Sequence, residues 1–133
     1  MYNEVITYYA KNPPNKKTLE VYDIKHYEDN SICWDDLEVY LSITDNIITQ
    51  YGFTGDTAII TTACASIFGE SIIGMSVSEV LSKDYDYIES LVEMPISPRR
   101  KQASVLWLLT TRNAIHQYIW DGIIDQFEDI IPQ

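Results

Sequence analysis

The chain has 133 residues, of which 46% are hydrophobic and 12% aromatic, enough apolar material for one domain with its own core. Its net charge of −11 argues against a nucleic-acid partner, because phosphate backbones are bound by clustered cations. No stretch approaches the roughly 18 continuous apolar residues of a membrane span, and residues 1–4 lack the basic start of a secretory signal. We therefore expect no membrane partner. The two cysteines lie far apart, so we expect no disulfide framework and a reducing, cytoplasmic location.

The N-terminal half of the chain predicts a helix followed by strands. Residues 2–10 have the spacing of a short amphipathic helix, and the Asn-Pro-Pro-Asn segment at 12–15 ends it because residues before proline avoid helical dihedrals. Residues 19–27 are predicted as a first strand. Residues 37–43 alternate apolar and polar side chains, which predicts a half-buried strand. An Asp-Asn turn then leads to residues 47–53, rich in β-branched and aromatic residues and predicted to complete a hairpin.

The C-terminal half predicts helices. The pattern over residues 57–70 is helical, with Asp56 or Thr57 as the expected cap. Residues 76–79 have the Ser-x-x-Glu pattern of a capping box, which predicts a short helix that a tyrosine-rich segment ends. Ser97, followed by proline, is expected to begin the last long helix, whose spacing predicts a mostly apolar stripe.

The order of these elements predicts an α+β fold, a three-stranded antiparallel sheet with helices packed on one face. We assign residues 1–124 to one domain and residues 125–133 to an acidic C-terminal tail that carries no chemistry.

Cys33 and Asp35, two residues apart, are the sharpest chemical feature of the sequence. A thiolate sulfur suits iron or zinc, and a nearby carboxylate adds an oxygen ligand or a proton acceptor. The other cysteine, Cys64, falls inside the predicted helix over residues 57–70, and two ligands do not close a tetrahedral site. The sequence therefore predicts only part of a metal site.

Several short motifs follow one another in a recognisable order. They are Tyr-Ala-Lys-Asn-Pro-Pro-Asn at 9–15, Asn-Ser-Ile-Cys-Trp-Asp at 30–35, Phe-Thr-Gly-Asp-Thr-Ala at 53–58, Ala-Cys-Ala-Ser at 63–66, and the segment 98–107. In this order they resemble the iron–sulfur cluster assembly scaffold family, the IscU/SufU type that also forms the N-terminal domain of NifU. Each motif alone would be weak evidence. Together the resemblance extends over about residues 2–120 and identifies residues 1–124 as a NifU N-terminal-like scaffold domain.

The resemblance implies a metal site from which two cysteines are missing. In such scaffolds three cysteines and an aspartate hold zinc, iron or a nascent 2Fe–2S cluster, a cysteine desulfurase delivers sulfur, and recipient apoproteins take the product. Carried over, Cys33 and Asp35 stand at the first cysteine and the aspartate positions, whereas Ala58 and Gln102 stand at the other two. Alanine cannot coordinate, and a neutral amide is a poor ligand for a thiophilic metal. Trp34 also replaces the family's small glycine.

Neither Cys64 nor Asp56 is expected to restore the missing ligands. Cys64 lies six residues past Ala58, roughly 9 Å along a helix axis, whereas a zinc–sulfur bond is only about 2.3 Å. We interpret it as a small buried thiol. Asp56 could offer an oxygen, but a helix cap explains it better.

The remaining candidates are two histidines and a lysine. His26 and His116 fit no ligand spacing, and we interpret both as ordinary packed or surface histidines. Lys101 matches the basic residue beside the family's third cysteine. Near Cys33 it would favour the thiolate, although a solvated lysine explains it equally well.

Two functions therefore stay open. The first is a scaffold-like or accessory protein of iron–sulfur cluster assembly with a depleted site at Cys33 and Asp35. In a more limited version of this role that needs no metal, a single thiolate at Cys33 accepts sulfur. A homodimer sharing Cys33 across a two-fold axis would also supply four donors. The alternative is a metal-free protein-interaction module on the same fold. We do not expect an enzyme, because no histidine stands out as a base for Cys33 and no Gly-rich phosphate loop is present.

Overall fold

The fold consists of one small sheet and a set of helices around a long central one. A computed structural model describes residues 3–30, 35–92 and 94–132. The elements in chain order are α1 (Glu4–Lys11), β1 (Ile24–Asn30), β2 (Asp35–Thr44), β3 (Ile47–Thr54), α2 (Ile59–Ile72), α3 (Val77–Leu81), α4 (Tyr85–Val92), a 3₁₀ turn (Pro98–Arg100), α5 (Lys101–Ile119) and α6 (Phe127–Ile130). This arrangement confirms the predicted α+β fold. Across the described residues, no helix has the length and apolarity needed to cross a membrane.

The sheet is antiparallel, with β2 between β1 and β3. The apolar side chains at alternate positions of β2 are all buried, as predicted: Leu37, Val39, Leu41 and Ile43. Asp45 and Asn46 connect β2 to β3 with φ values of 52° and 63°. Two successive positive φ angles are the geometry of a tight hairpin turn, which Asn and Asp tolerate better than most residues. The predicted hairpin is therefore confirmed.

The first strand differs from its prediction over residues 19–27, since β1 begins at Ile24 and continues to Asn30. Of the preceding residues, Asp23 still bonds to β2, since its backbone N–H donates to the Leu41 carbonyl oxygen at 2.8 Å, but residues 19–22 form no regular strand. A Cβ added at Gly52 would collide with the Lys17 carbonyl oxygen and lie 3.3 Å from Cγ of Leu19, so the segment before β1 runs closely over Gly52. Tyr22 packs edge-on against Tyr40, with ring centroids 5.3 Å apart. These cross-sheet contacts cannot be recognised from the local strand propensity of residues 19–23.

The long helix α5 is buried on nearly all sides, whereas its spacing predicted a single apolar stripe. It packs against β1, β2, α2, α3, α4 and α6, and residues 103–111 and 113–116 are buried. Trp107 is fully buried and stacks on Phe68 of α2, with ring centroids 5.1 Å apart and planes 9° from parallel. Small and polar residues of α5 therefore serve as core residues, because neighbours surround the helix.

The helix starts were predicted with mixed success. Ser76 caps α3 as predicted, since its Oγ accepts the backbone N–H of Glu79 at 3.1 Å. The predicted cap of α2 was wrong: the helix begins after Ala58, and neither Asp56 nor Thr57 occupies the cap position.

The tyrosine-rich segment after α3 was predicted only as a break, yet residues 85–92 form α4. The chain leaves helical structure only at residues 82–84. Before α5, Pro98 begins the 3₁₀ turn as expected of a proline, but the Ser97 side chain makes no capping bond.

The segment predicted as an acidic tail packs against α5. Ile130 of α6 is 1% exposed and belongs to the core. The carboxylate of Asp125 accepts a 2.8 Å bond from Nε of Arg112 in α5. Residues 125–132 therefore contribute a core side chain and a largely buried ion pair to the domain.

Candidate functional site

The candidate site is centred on the connection between β1 and β2. Cys33 and Trp34 belong to residues 31–34, which lie outside the described residues, so the predicted ligand and sulfur-accepting roles of Cys33 stay predictions. The residues at either end of this connection are described. Asn30 and Asp35 face each other in the strand register, and both are 3% exposed.

Asp35 binds the start of α2 with both carboxylate oxygens. Its Oδ1 accepts the backbone N–H of Ala58 at 2.7 Å, and its Oδ2 accepts the hydroxyl of Thr61 at 2.7 Å. The N-terminus of a helix has unpaired N–H groups and a partial positive charge, and Ala58 has no side-chain oxygen to satisfy them. Asp35 therefore supplies from β2 the cap that α2 lacks locally.

A second pair of bonds joins the same two segments. The backbone N–H of Asp36 donates to the carbonyl oxygen of Asp56 at 3.0 Å, and the N–H of Asp56 donates to Oδ1 of Asp36 at 3.0 Å. Gly55, directly before Asp56, has a φ of 141°, and a Cβ there would collide with the Asp36 carbonyl group. Only glycine fits there without strain. Asp56 thus pairs through its backbone with β2.

Asn30 contributes an unpaired donor at the base of the connection. Its amide nitrogen Nδ2 is buried and has no hydrogen-bond partner among the described residues. Buried polar groups are normally paired, and those that are not often mark a functional site or an unseen ligand or water.

Gln102, at the third cysteine position, faces the C-terminal segment. It lies in the first turn of α5 and lines a cavity of about 330 Å³ together with Phe127 and Ile131. Within the described ranges, no hydrogen bond joins Gln102 to Asp35 or Ala58. The structure thus brings Asp35 and Ala58 together, whereas Gln102 has other neighbours.

Lys101 has an aromatic partner. Its Nζ lies 4.9 Å from the ring centroid of Tyr85, a cation–π contact. The role predicted for Lys101 beside Cys33 stays a prediction.

Cys64 is a core residue of α2 and is fully buried. Burial raises the pKa of its thiol, because a thiolate would lose its hydration. The interpretation as a small packed thiol is confirmed.

Both histidines are engaged by neighbouring side chains. His26 pairs through Nε2 with Oε2 of Glu28 at 2.8 Å, and its Nδ1 accepts the amide of Gln117 at 2.8 Å. His116 is 5% exposed and lies between two carboxylates, with Nδ1 2.7 Å from Asp121 and Nε2 2.9 Å from Asp125. The sequence did not predict the contacts of His116 with Asp121 and Asp125. Both aspartates follow α5 in a segment without helical spacing, so no periodic pattern places them beside the histidine.

Comparison with known proteins decides the family. The family model of the NifU-like N-terminal domain matches residues 1–121. This chain belongs to the NifU-like N-terminal domain family. The predicted resemblance to the IscU/SufU type of iron–sulfur cluster assembly scaffold is thereby confirmed.

Relatives of this NifU-like chain agree with the assignment. The iron–sulfur cluster assembly scaffold protein IscU of Thermotoga maritima is 32% identical over 82 residues, 62% of this chain. The match spans 58% of the length of that curated relative.

Two crystal structures share the fold of this NifU-like chain. A NifU-like protein (N-terminal) from Brucella abortus matches with a TM-score of 0.75 at 18% identity, covering 90% of this chain and 95% of that one. A putative SUF-system scaffold from Fervidobacterium islandicum AW-1 matches with a TM-score of 0.75 at 20% identity, covering 86% and 96%. These likenesses show the fold.

The described residues of this NifU-like chain do not fit a resident zinc or iron ion. No group of three or more His, Cys, Asp or Glu suited to a metal occurs within residues 3–30, 35–92 and 94–132. Asp35 is the one donor left at the described ligand positions, since Ala58 has none and Gln102 offers only an amide.

Proposed function

We propose that this chain acts in iron–sulfur cluster assembly as an accessory member of the scaffold family that accepts sulfur on Cys33 and does not close a metal site by itself. The observation that carries the proposal is the engagement of Asp35. Both of its oxygens accept hydrogen bonds from the start of α2, and the side chain is nearly buried.

This engagement, together with the residues at the other two positions, disfavours a metal at this site. The Asp35 carboxylate is nearly buried and already accepts one 2.7 Å bond on each oxygen, so a metal could reach only its remaining lone pairs, and pulling it away from Ala58 and Thr61 would leave buried donors unpaired. Ala58 and Gln102 supply no replacement. A thiophilic ion bound to Cys33 alone would keep most of its coordination sphere in water.

Sulfur acceptance needs only one nucleophilic thiolate. The Cys33 thiolate attacks the terminal sulfur of a persulfide on a cysteine desulfurase. A new sulfur–sulfur bond forms at Cys33, the old one breaks, and the desulfurase cysteine leaves as a thiolate, so no external oxidant is needed. Recipient apoproteins, or a scaffold with a full ligand set, would take the sulfur onward.

The surroundings of the β1–β2 connection support this chemistry. The buried Nδ2 of Asn30 is a donor without a partner in the described part of the chain, three residues before Cys33. A hydrogen bond from such a donor would favour an anionic persulfide over its neutral form. Lys101 would add positive charge to the same effect.

One experiment tests the proposal. The protein is purified anaerobically, and its zinc and iron are measured. It is then incubated with a cysteine desulfurase and cysteine, and persulfide is located by mass spectrometry of alkylated peptides. We expect far less than one metal per chain and a persulfide on Cys33 that is absent from Cys33→Ser. Cys64→Ala, the matched control, should still be modified at Cys33.

Other outcomes would favour other functions. Stoichiometric zinc or iron on a monomer would overturn the proposal. One metal per two chains in a dimer, lost in Cys33→Ser, would favour the shared dimeric site. No metal together with no persulfide would favour the metal-free interaction module, which the exposed apolar groove described next also supports.

A further inference from the structure

An apolar groove lies at the C-terminal end of α5, apart from the proposed sulfur site. It has a volume of about 720 Å³, and its apolar walls include Ile24, Trp120, Ile123 and Ile124. Trp120 is 90% exposed, Ile124 74% and Ile123 52%. Large apolar side chains clustered on a surface often mark an interaction site.

The segment that carries these side chains is anchored to the domain. Trp120 ends α5 in the left-handed conformation, with a φ of 58°. Oδ1 of Asp121 accepts the N–H of Ile123 at 3.0 Å, and Oδ2 of Asp121 contacts His116. The segment closes at Asp125, whose N–H donates to Asn113 at 2.7 Å. The groove is therefore largely pre-formed, which lowers the cost of ordering it on binding.

The groove lies at the opposite end of the domain from the Cys33 connection. It is lined by the start of β1, whereas that connection follows the end of β1. His116, near the end of α5, also lines the groove. It lies 14 residues after Gln102, which corresponds to roughly 21 Å along the helix axis. A partner in the groove would therefore contact the Ile24 end of β1 and not its Asn30 end.

The charges around the groove indicate which partner fits. Asp23 lines it, and Asp121 and Asp125 flank His116, which also lines it. No lysine or arginine belongs to the lining. Arg112, which donates to Asp125, also donates to the backbone carbonyls of Leu81 and Lys83.

We propose that this groove docks a short basic amphipathic segment of a partner protein. Its apolar side chains would pack on Trp120, Ile123 and Ile124, and its Lys or Arg residues would face Asp23 and Asp121. A second copy of this chain is a poor occupant, because each copy carries a net charge of −11 and would bring like charges together at the groove. This inference does not depend on Cys33.

The test uses a labelled peptide of about 12 residues, with leucines at helical i, i+3, i+4 and i+7 spacing and lysines between them. A second peptide replaces every lysine with glutamate. Binding is measured by fluorescence anisotropy at several salt concentrations. We expect saturable binding of the lysine peptide that weakens with salt, and binding of the glutamate peptide at least about tenfold weaker.

Variants locate the binding. Trp120→Ser should weaken binding by about tenfold or more, as for a buried aromatic hot spot. Val21→Ser, the matched control at a side chain that is 81% exposed, should change it less than about twofold. Asp23→Asn keeps an acceptor for the Ile43 N–H and should reduce both affinity and salt dependence. Cys33→Ser should bind normally, which separates this test from that of the sulfur site.

Three results would overturn the proposal. The first is binding that Trp120→Ser leaves intact, and the second is equal affinity for the two peptides. The third is a dimer in light scattering that Trp120→Ser dissociates, which would make a second copy the occupant.

Discussion

The carboxylate of Asp35 and the backbone N–H of Ala58 are joined by a 2.7 Å hydrogen bond. The resemblance assigns both positions to metal ligands, yet here one residue stabilises the helix that follows the other. The second oxygen of Asp35 accepts the Thr61 hydroxyl, so each carboxylate oxygen has a hydrogen-bond donor at the start of α2. The side chain at a position that the resemblance assigns to a ligand thus stabilises the start of α2.

Replacing Asp35 should destabilise the domain. Asp35→Ala removes both bonds and leaves the Ala58 N–H and the Thr61 hydroxyl unpaired, which should cost about 2–3 kcal/mol of unfolding free energy. Urea denaturation followed by circular dichroism measures it. The control is Asp29→Ala, at an exposed position of β1. Its unfolding free energy is expected to lie within about 0.5 kcal/mol of that of the unmodified protein. Equal stability of the two variants would contradict the capping role.

The C-terminal segment should also be required for stability. Asp125→Ala would leave the Arg112 guanidinium and the His116 ring without their shared carboxylate, at a cost of about 3–5 kcal/mol. Glu128→Ala, three residues on and exposed, should change little. Ending the chain at residue 124 should be at least as destabilising as Asp125→Ala, because the core side chain of Ile130 is lost as well. Thermal and urea unfolding measure all three, and a fully stable 124-residue chain would show that this segment is a dispensable tail.

Acid should weaken the domain partly through Asp125. Burial acts to raise the pKa of this carboxyl, but the hydrogen bond and charge of Arg112, with His116, outweigh it and hold the pKa below its ordinary value of 3.8. The pKa of Glu28 is likewise lowered from 4.5, since bonds from His26 and Asn113 outweigh burial. A pKa lower in the folded than in the unfolded state contributes stability above the unfolded value, and this is lost as pH falls through the folded value.

We therefore expect the unfolding free energy to fall as pH decreases from about 5 toward 2. Asp125→Asn, which does not titrate, should show a shallower slope in that window, measured as urea midpoints across a pH series. Parallel curves for the two proteins would contradict the assignment.

Cys64 should be chemically silent in the folded protein. Burial raises the pKa of its thiol and blocks access, so in Cys33→Ser a disulfide reagent at pH 8 should react at least about 100-fold more slowly than with an unfolded thiol. In urea the same sample should react at once, with one thiol per chain. Fast labelling of the native variant would show that α2 opens or that Cys64 is accessible.

The family was predicted from the order of short motifs. The hairpin and most helices were predicted from local patterns of neighbouring residues. Alternation along β2, the Asp45-Asn46 turn and the Ser76 cap are local, so sequence spacing alone predicted them. The cap of α2 was predicted wrongly at Asp56 or Thr57. The carboxylate that accepts the Ala58 N–H belongs to Asp35, which lies 23 residues earlier in the chain. Helix α4 was missed because its tyrosines contact α2 through bonds such as Tyr87 to Ser71, which no local pattern indicates.

By itself, the sequence determined which residues stand at the positions that the resemblance assigns to metal ligands. Position 58 is alanine and position 102 is glutamine, and neither side chain can supply a thiolate in any fold. Only the tertiary structure decided what the remaining groups do. Hydrogen bonds and burial depend on which elements pack together, and local sequence does not specify this. In the folded chain Asp35 caps α2, Asp125 forms a largely buried ion pair with Arg112, and Trp120 lines a groove.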